Sequence, residues 1–145
     1  MFGKLLADYQ LIALQETKFT KADNLRVVTS YINSADSKAQ VFWSQHTDND
    51  FTGRNGVALI LSGSHPFTSV ENVTPRYASA AQQPRYLVLD AKIENLRFFI
   101  HAVYAPVTVA ERKRFFTLCP PGFRMRPTIS SSAISTRHWT RYSTK

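Results

Sequence analysis

Cysteine, glycine and long apolar runs are all scarce in this chain of 145 residues. Cys119 is the one cysteine, so no disulfide can form within the chain, which excludes a small secreted scaffold held together by disulfides. No stretch approaches the roughly 20 uninterrupted apolar residues of a membrane-spanning helix, and Asp8 interrupts the apolar segment near the start. We therefore expect an intracellular protein that does not associate with a membrane.

Acidic residues are missing from the carboxyl-terminal part of the chain. Residues 120–145 contain five Lys or Arg residues, no Asp or Glu, and many Ser and Thr residues. They therefore carry five of the eight net positive charges of the whole chain. This composition predicts one folded domain over residues 1–119 and a basic tail over residues 120–145 that is expected to be disordered. The positive net charge favours a polyanionic partner, of which nucleic acid is the most common.

Short apolar runs alternate with amphipathic segments along residues 1–119. Patterns typical of strands occupy residues 11–14, 39–44, 57–61, 67–73, 86–91 and 96–103, and patterns typical of helices occupy residues 1–9, 22–32 and 109–118. The continuous run at 11–14 is typical of a strand buried on both faces, and the turn Glu94-Asn95 predicts a hairpin. One side of the helical segment 22–32 holds Leu25, Val28, Tyr31 and Ile32. The predicted fold is α/β, of the α+β type, with helices packed on sheets.

Two residues stand at the ends of predicted strands, where ligands commonly bind. Glu16 follows the run 11–14, and an exposed carboxylate there suits Mg²⁺, which takes one or two protein carboxylates together with waters and phosphates. Alternatively, Glu16 forms a surface pair with Lys18. Tyr104 follows the run 96–103, and its hydroxyl could donate a hydrogen bond to the charge that develops on a reacting phosphoester. Alternatively, Tyr104 is a core residue whose hydroxyl meets a backbone acceptor.

A resemblance to a known family favours the first of each pair of interpretations. It is carried by the segments LIALQETKF, FTGRNGVALIL and RYLVLDAKIENLRFFIHAVYAPVTVAERKRFF, between about Leu5 and Phe116. In their order and spacing these segments resemble the amino-terminal half of the endonuclease/exonuclease/phosphatase family, most closely the apurinic-type endonuclease domain of non-LTR retrotransposons. The resemblance implies a partial, truncated form of that family's four-layer α/β sandwich.

The resemblance also implies roles for individual residues. Glu16 matches the family's catalytic glutamate, which binds Mg²⁺ or Mn²⁺, and Tyr104 matches the tyrosine that contacts the scissile phosphate. Lys18 matches a basic position near the DNA backbone, and Arg85 lies just before a strand where relatives place a phosphate contact. Arg54 falls on the loop from which relatives insert a side chain against the duplex. Isolated basic residues are, however, often no more than solvated surface charges. DNA is therefore the implied partner.

Other motifs of the family are not found in these residues. The family's first strand ends in an asparagine that helps to hold the metal, and its later strands carry a G-D-x-N motif and a terminal S-D-H motif. None of these occurs here. The sequence therefore predicts a fragment of a magnesium-dependent phosphodiesterase, a DNA endonuclease of the retrotransposon type, that is inactive alone. Two alternatives stay open: a non-catalytic basic fragment that binds nucleic acid, and a family member that acts on another phosphoester.

Overall fold

The computed structural model describes residues 2–19, 22–44 and 55–119. In chain order the elements are α1 (Phe2–Asp8), β1 (Leu11–Gln15), α2 (Ala22–Ala35), β2 (Gln40–Trp43), β3 (Val57–Leu61), β4 (Ser69–Asn72), α3 (Thr74–Tyr77), a 3₁₀ turn (Gln83–Arg85), β5 (Tyr86–Ile93), β6 (Leu96–Val103) and α4 (Val109–Thr117). This mixture of helices and strands confirms the predicted α+β class. The predicted tail, residues 120–145, lies outside the described residues.

The strands form two antiparallel sheets of three strands each. Their orders are β1-β3-β2 and β4-β5-β6, so β3 and β5 are the central strands. In the second sheet, β5 and β6 form the predicted hairpin, with Ile93 opposite Leu96 across the Glu94-Asn95 turn. Glu94 has a left-handed backbone with φ of 52°, as tight hairpin turns require. The hairpin signal in the sequence is thus confirmed.

The central strand β3 is buried on both of its faces, because successive side chains of a strand point in opposite directions. Leu59 lies in one apolar cluster with Leu87 and Leu89 of β5, so this face of the first sheet packs against the second sheet. Ile60 lies in a cluster with Leu6 of α1 and Ile32 of α2. Helices α1 and α2 therefore cover the other face.

The second sheet repeats this arrangement on its outer side. Tyr86 and Val88 of β5 cluster with Phe115 of α4, on the face opposite to Leu87 and Leu89. The described residues are therefore layered in the order helices α1 and α2, first sheet, second sheet, helix α4. The longest helix in these ranges, α2, has 14 residues, and none of their helices combines the length and apolar character needed to traverse a bilayer.

The structure corrects two details of the sequence interpretation. The apolar run at 11–14 is not buried on both faces, because β1 is an edge strand of the first sheet: Ala13 is exposed and its apolar neighbours are half-buried. The fully buried strand is β3, which lies between β1 and β2. Tyr31 is 68% exposed and therefore does not share the buried face of α2 with Ile32.

Candidate functional site

Four strand ends meet at one edge of the two packed sheets. The end of β1 lies opposite the start of β3, with Gln15 paired to Val57, and the end of β6 lies opposite the start of β5, with Val103 paired to Tyr86. The side-chain amide of Gln15 donates a hydrogen bond of 2.7 Å to the backbone carbonyl of Val103, which joins the two sheets at this edge. The residues that follow β1 and β6 are consequently neighbours, although they are far apart in the sequence.

The site itself is a direct contact between Glu16 and Tyr104. The Tyr104 hydroxyl donates a short hydrogen bond to Oε1 of Glu16, across 88 positions of sequence. Glu16 is exposed and Tyr104 is half-buried, so the pair lies at the surface. Within the described residues, Glu16 forms no ion pair with Lys18, and the acceptor of the Tyr104 hydroxyl is a carboxylate rather than a backbone carbonyl. Glu16 and Tyr104, which follow two different strands, are therefore in direct contact.

The environment of Tyr104 keeps its hydroxyl protonated. The hydrogen bond to Glu16 raises the pKa of Tyr104 above its usual value; desolvation and the negative charge of Glu16 act in the same direction, and the positive charge of Arg85 opposes them. A tyrosine already titrates well above neutral pH. At neutral pH, Tyr104 is thus a hydrogen-bond donor and is not suited to accept a proton.

The backbone around Glu16 has an unusual conformation that presents the carboxylate at the edge. Glu16 and Lys18 have left-handed backbones, with φ of 53° and 57°. The Thr17 amide donates to the carbonyl of Gly56 at 3.2 Å, and the Lys18 amide donates to the carbonyl of Asn55 at 2.9 Å. The chain therefore stays attached to the segment before β3 while its side chains leave the regular alternation of a strand. Lys18 is exposed at this edge.

Arg85 completes the observed group by contacting Tyr104. Its guanidinium carbon lies 5.1 Å from the centroid of the Tyr104 ring, in cation–π geometry. Its backbone carbonyl accepts a hydrogen bond of 2.8 Å from the Tyr104 amide. The structure thus brings Glu16, Tyr104 and Arg85 together, with Lys18 two residues from Glu16. Arg54 lies outside the described residues.

Sequence reasoning missed two polar residues at this edge. Gln15 provides the bond between the sheets, and the side-chain oxygen of Asn55 is buried with no hydrogen-bond partner among the described residues. Asn55 has φ of 91°, and the buried Gly56 that follows it has φ of 102° and donates to the carbonyl of Pro84 at 3.1 Å. The Asn-Gly pair is a turn signal in the sequence. It gives no indication that the amide is buried.

The donor set at the site suits a weakly held hard cation better than a structural metal. Within the described ranges, no three or more His, Cys, Asp or Glu side chains are grouped so that they could hold a metal ion. Glu16 offers one exposed carboxylate. Because Mg²⁺ retains several waters and takes as few as one protein carboxylate when phosphate oxygens are present, Glu16 fits such an ion as a single ligand.

No protein-family model matches the chain, and no curated protein is significantly similar to it.

Proposed function

We propose that this chain is part of a magnesium-dependent phosphodiesterase of the endonuclease/exonuclease/phosphatase type, with DNA as its substrate. The observation that carries the proposal is the contact between the Tyr104 hydroxyl and the Glu16 carboxylate at the common edge of two packed sheets. The resemblance implies this juxtaposition of an acid and a phenol. The layering of helices, sheet, sheet and helix supports the corresponding four-layer sandwich.

Each of these residues has a defined part in the proposed chemistry. Glu16 binds the cation, Mg²⁺ or Mn²⁺, which polarises a phosphoryl oxygen when it is bound. Tyr104 is protonated at neutral pH, so its hydroxyl can pass from Glu16 to a phosphate oxygen and stabilise the negative charge that develops there. Lys18, exposed beside Glu16, contributes positive charge toward the DNA backbone.

The proposal also predicts the activity of the 145-residue chain when it acts alone. The described residues offer one carboxylate at the site, and the G-D-x-N and S-D-H motifs are not among these 145 residues. In-line attack by water requires groups that orient and deprotonate it. We therefore expect cation-dependent DNA binding by this chain, with hydrolysis only when those groups are supplied from elsewhere.

Glu16→Gln tests the proposal, with Glu71→Gln as its matched control. Glu71 is an exposed acid on β4 of the second sheet and pairs with Arg76, whereas Glu16 follows β1 of the first sheet. The measurement is the anisotropy of a fluorescent DNA duplex, titrated with the full chain in Mg²⁺ and in EDTA. Because even indirect disturbance of a metal site costs about 10- to 100-fold in metal affinity, we expect Glu16→Gln to remove the Mg²⁺-dependent increase in affinity. An Mg²⁺ effect that is equal in the wild type and in Glu16→Gln would refute the assignment.

A second candidate function is supported by the distribution of charge. Residues 120–145 carry five of the eight net positive charges, which favours a non-catalytic basic fragment that binds nucleic acid through its phosphates. Deletion of residues 120–145 distinguishes the two functions. The second function predicts that most of the DNA affinity and of its salt dependence disappear with the tail. The phosphodiesterase proposal predicts that the Mg²⁺-dependent increase survives the deletion.

A further inference from the structure

Tyr104 lies beyond the end of a strand, and such a residue is not held by the ladder of the sheet. β6 ends at Val103, and residues 104–108 form the connection to α4, which begins at Val109. Yet the phenol is aimed at one oxygen of an exposed carboxylate on another strand end. Its ring packs against the apolar cluster between the two sheets, and two arginines add further contacts around it.

Arg85 holds Tyr104 from the side of the ring. Its guanidinium lies over the aromatic face at 5.1 Å, and its carbonyl accepts the Tyr104 amide at 2.8 Å, so one residue contacts both the side chain and the backbone of Tyr104. The Nη1 atom of Arg85 is buried and has no hydrogen-bond partner among the described residues. Among these residues, no hydrogen bond through Nη1 orients the guanidinium, and its observed side-chain contact is the one with the Tyr104 ring.

Arg112 holds the connection that follows Tyr104. Its Nε donates to the carbonyl of Pro106 at 3.1 Å, and its Nη2 donates to the carbonyl of Val107 at 2.7 Å. Arg112 lies in the first turn of α4, whose start is capped by the Thr108 hydroxyl, which accepts from the Glu111 amide. The planar guanidinium thus fastens two successive carbonyls of the connection to a helix that packs on the second sheet.

We propose that Arg85 and Arg112 are positioning residues that hold the Tyr104 hydroxyl toward Glu16, Arg85 through the ring and Arg112 through the connection to α4. This inference rests on the proposed function, in which Tyr104 contacts the phosphoester. It gives Arg85 a role different from the contact with the DNA backbone that the resemblance implies, because Arg85 here acts through Tyr104.

The first test needs neither DNA nor a metal ion. The full chain is prepared with ¹³C-labelled tyrosine rings, and the Tyr104 signal is assigned by its loss in Tyr104→Phe. We expect Arg85→Met and Arg112→Met to shift the Tyr104 signal toward that of the exposed Tyr31, whereas the control Arg76→Met leaves it in place. A Tyr104 signal that does not move in Arg85→Met, or that does not move in Arg112→Met, overturns the proposal. If the signals of all tyrosines shift in Arg85→Met, that variant is unfolded, and Arg85→Lys is used instead. Lysine keeps the positive charge but lacks the planar guanidinium.

The second test distinguishes positioning from direct DNA contact. The affinity for labelled duplex DNA in Mg²⁺ is measured for Arg85→Met, for Tyr104→Phe and for the double variant. If Arg85 acts through Tyr104, each single change weakens DNA binding by about 2- to 5-fold, as loss of a cation–π contact would. The double variant then binds DNA as well as the single variant with the lower affinity. Multiplicative losses would mean that Arg85 contacts DNA by itself and would overturn the proposal. If Tyr104→Phe leaves DNA affinity unchanged, the proposed function fails, and the tyrosine signals still decide whether the arginines position the ring.

Discussion

Removal of Leu59 and Leu87, singly and together, tests the packing of the two sheets on which the site depends. Leu59 lies on β3 and Leu87 on β5; their exposures are 1% and 0%, and both belong to the cluster between the sheets. Ile60 is the neighbour of Leu59 in sequence but faces α1 and α2 on the other side of the first sheet. The three residues therefore allow contact across the interface to be separated from simple burial.

The expected magnitudes follow from these positions. Truncation of a fully buried leucine to alanine costs about 2–5 kcal/mol, from lost transfer free energy and from the cavity that remains. Because Leu59 and Leu87 share one cluster, their cavities are coupled, and we expect an interaction energy of about 0.5–3 kcal/mol in the double variant. Leu87→Ala and Ile60→Ala lie on opposite sides of β3, and their costs should add to within about 0.5 kcal/mol.

The assay is urea unfolding followed by far-ultraviolet circular dichroism, with the free energy of unfolding extrapolated to water. Equal slopes of free energy against urea concentration are needed for the comparison, since a changed slope means that the extent of unfolding differs. Two results would refute the reasoning: a cost below about 1 kcal/mol for either leucine, or coupling between Leu87 and Ile60 in place of coupling between Leu87 and Leu59.

Two further predictions concern polar contacts. Arg97 donates to the buried Asp90 carboxylate at 2.9 and 2.5 Å, and these bonds hold the pKa of that carboxyl below its usual value. The contribution of this pair to stability is therefore fully present above the unfolded pKa of about 3.9, and it is lost as the pH falls through the lower folded pKa. Urea unfolding at pH 7 and pH 3 should therefore show a smaller loss of stability on acidification in Arg97→Met than in the wild type; an equal loss would contradict the assignment. Gly63→Ala should destabilise the protein by about 1–3 kcal/mol, because a Cβ there would lie 2.7 Å from Cβ of Lys38 and 2.6 Å from Oδ1 of Asp36. Its control, Gly3→Ala in α1, has no neighbour closer than 4.0 Å and should be neutral or stabilising in thermal melts; equal losses in both variants would contradict this account.

The sequence predicted the elements of the fold well because local signals coincided with the tertiary contacts. The turn at Glu94-Asn95 and the apolar runs beside it marked the β5–β6 hairpin, and residues 57–61 became the buried strand β3. The prediction that the run at 11–14 is buried on both faces was wrong, because apolar content does not reveal whether a strand is central or at an edge. That depends on how many neighbours it has, which is a property of the whole sheet.

The candidate site was predictable only in part. The contact between Glu16 and Tyr104 depends on how two strand ends are placed relative to each other, which no local pattern gives, and the residues alone left each of them with a simpler interpretation. The contact of Arg85 with the Tyr104 ring was not predicted, because it depends on the 3₁₀ turn that precedes β5 and on the connection after β6. Arg112 lacked any local signal, since a guanidinium that binds backbone carbonyls has no sequence pattern.

The left-handed backbone at Glu16 has a consequence for how the protein can change over time. A residue with a Cβ pays about 1–2 kcal/mol for this conformation, and glycine adopts it at little cost. Glycine at position 16 would relieve this strain, and it would also remove the carboxylate and its hydrogen bond with Tyr104. Where relief of the strain outweighs the lost hydrogen bond, selection for heat resistance alone favours glycine there, whereas selection for the proposed activity retains glutamate.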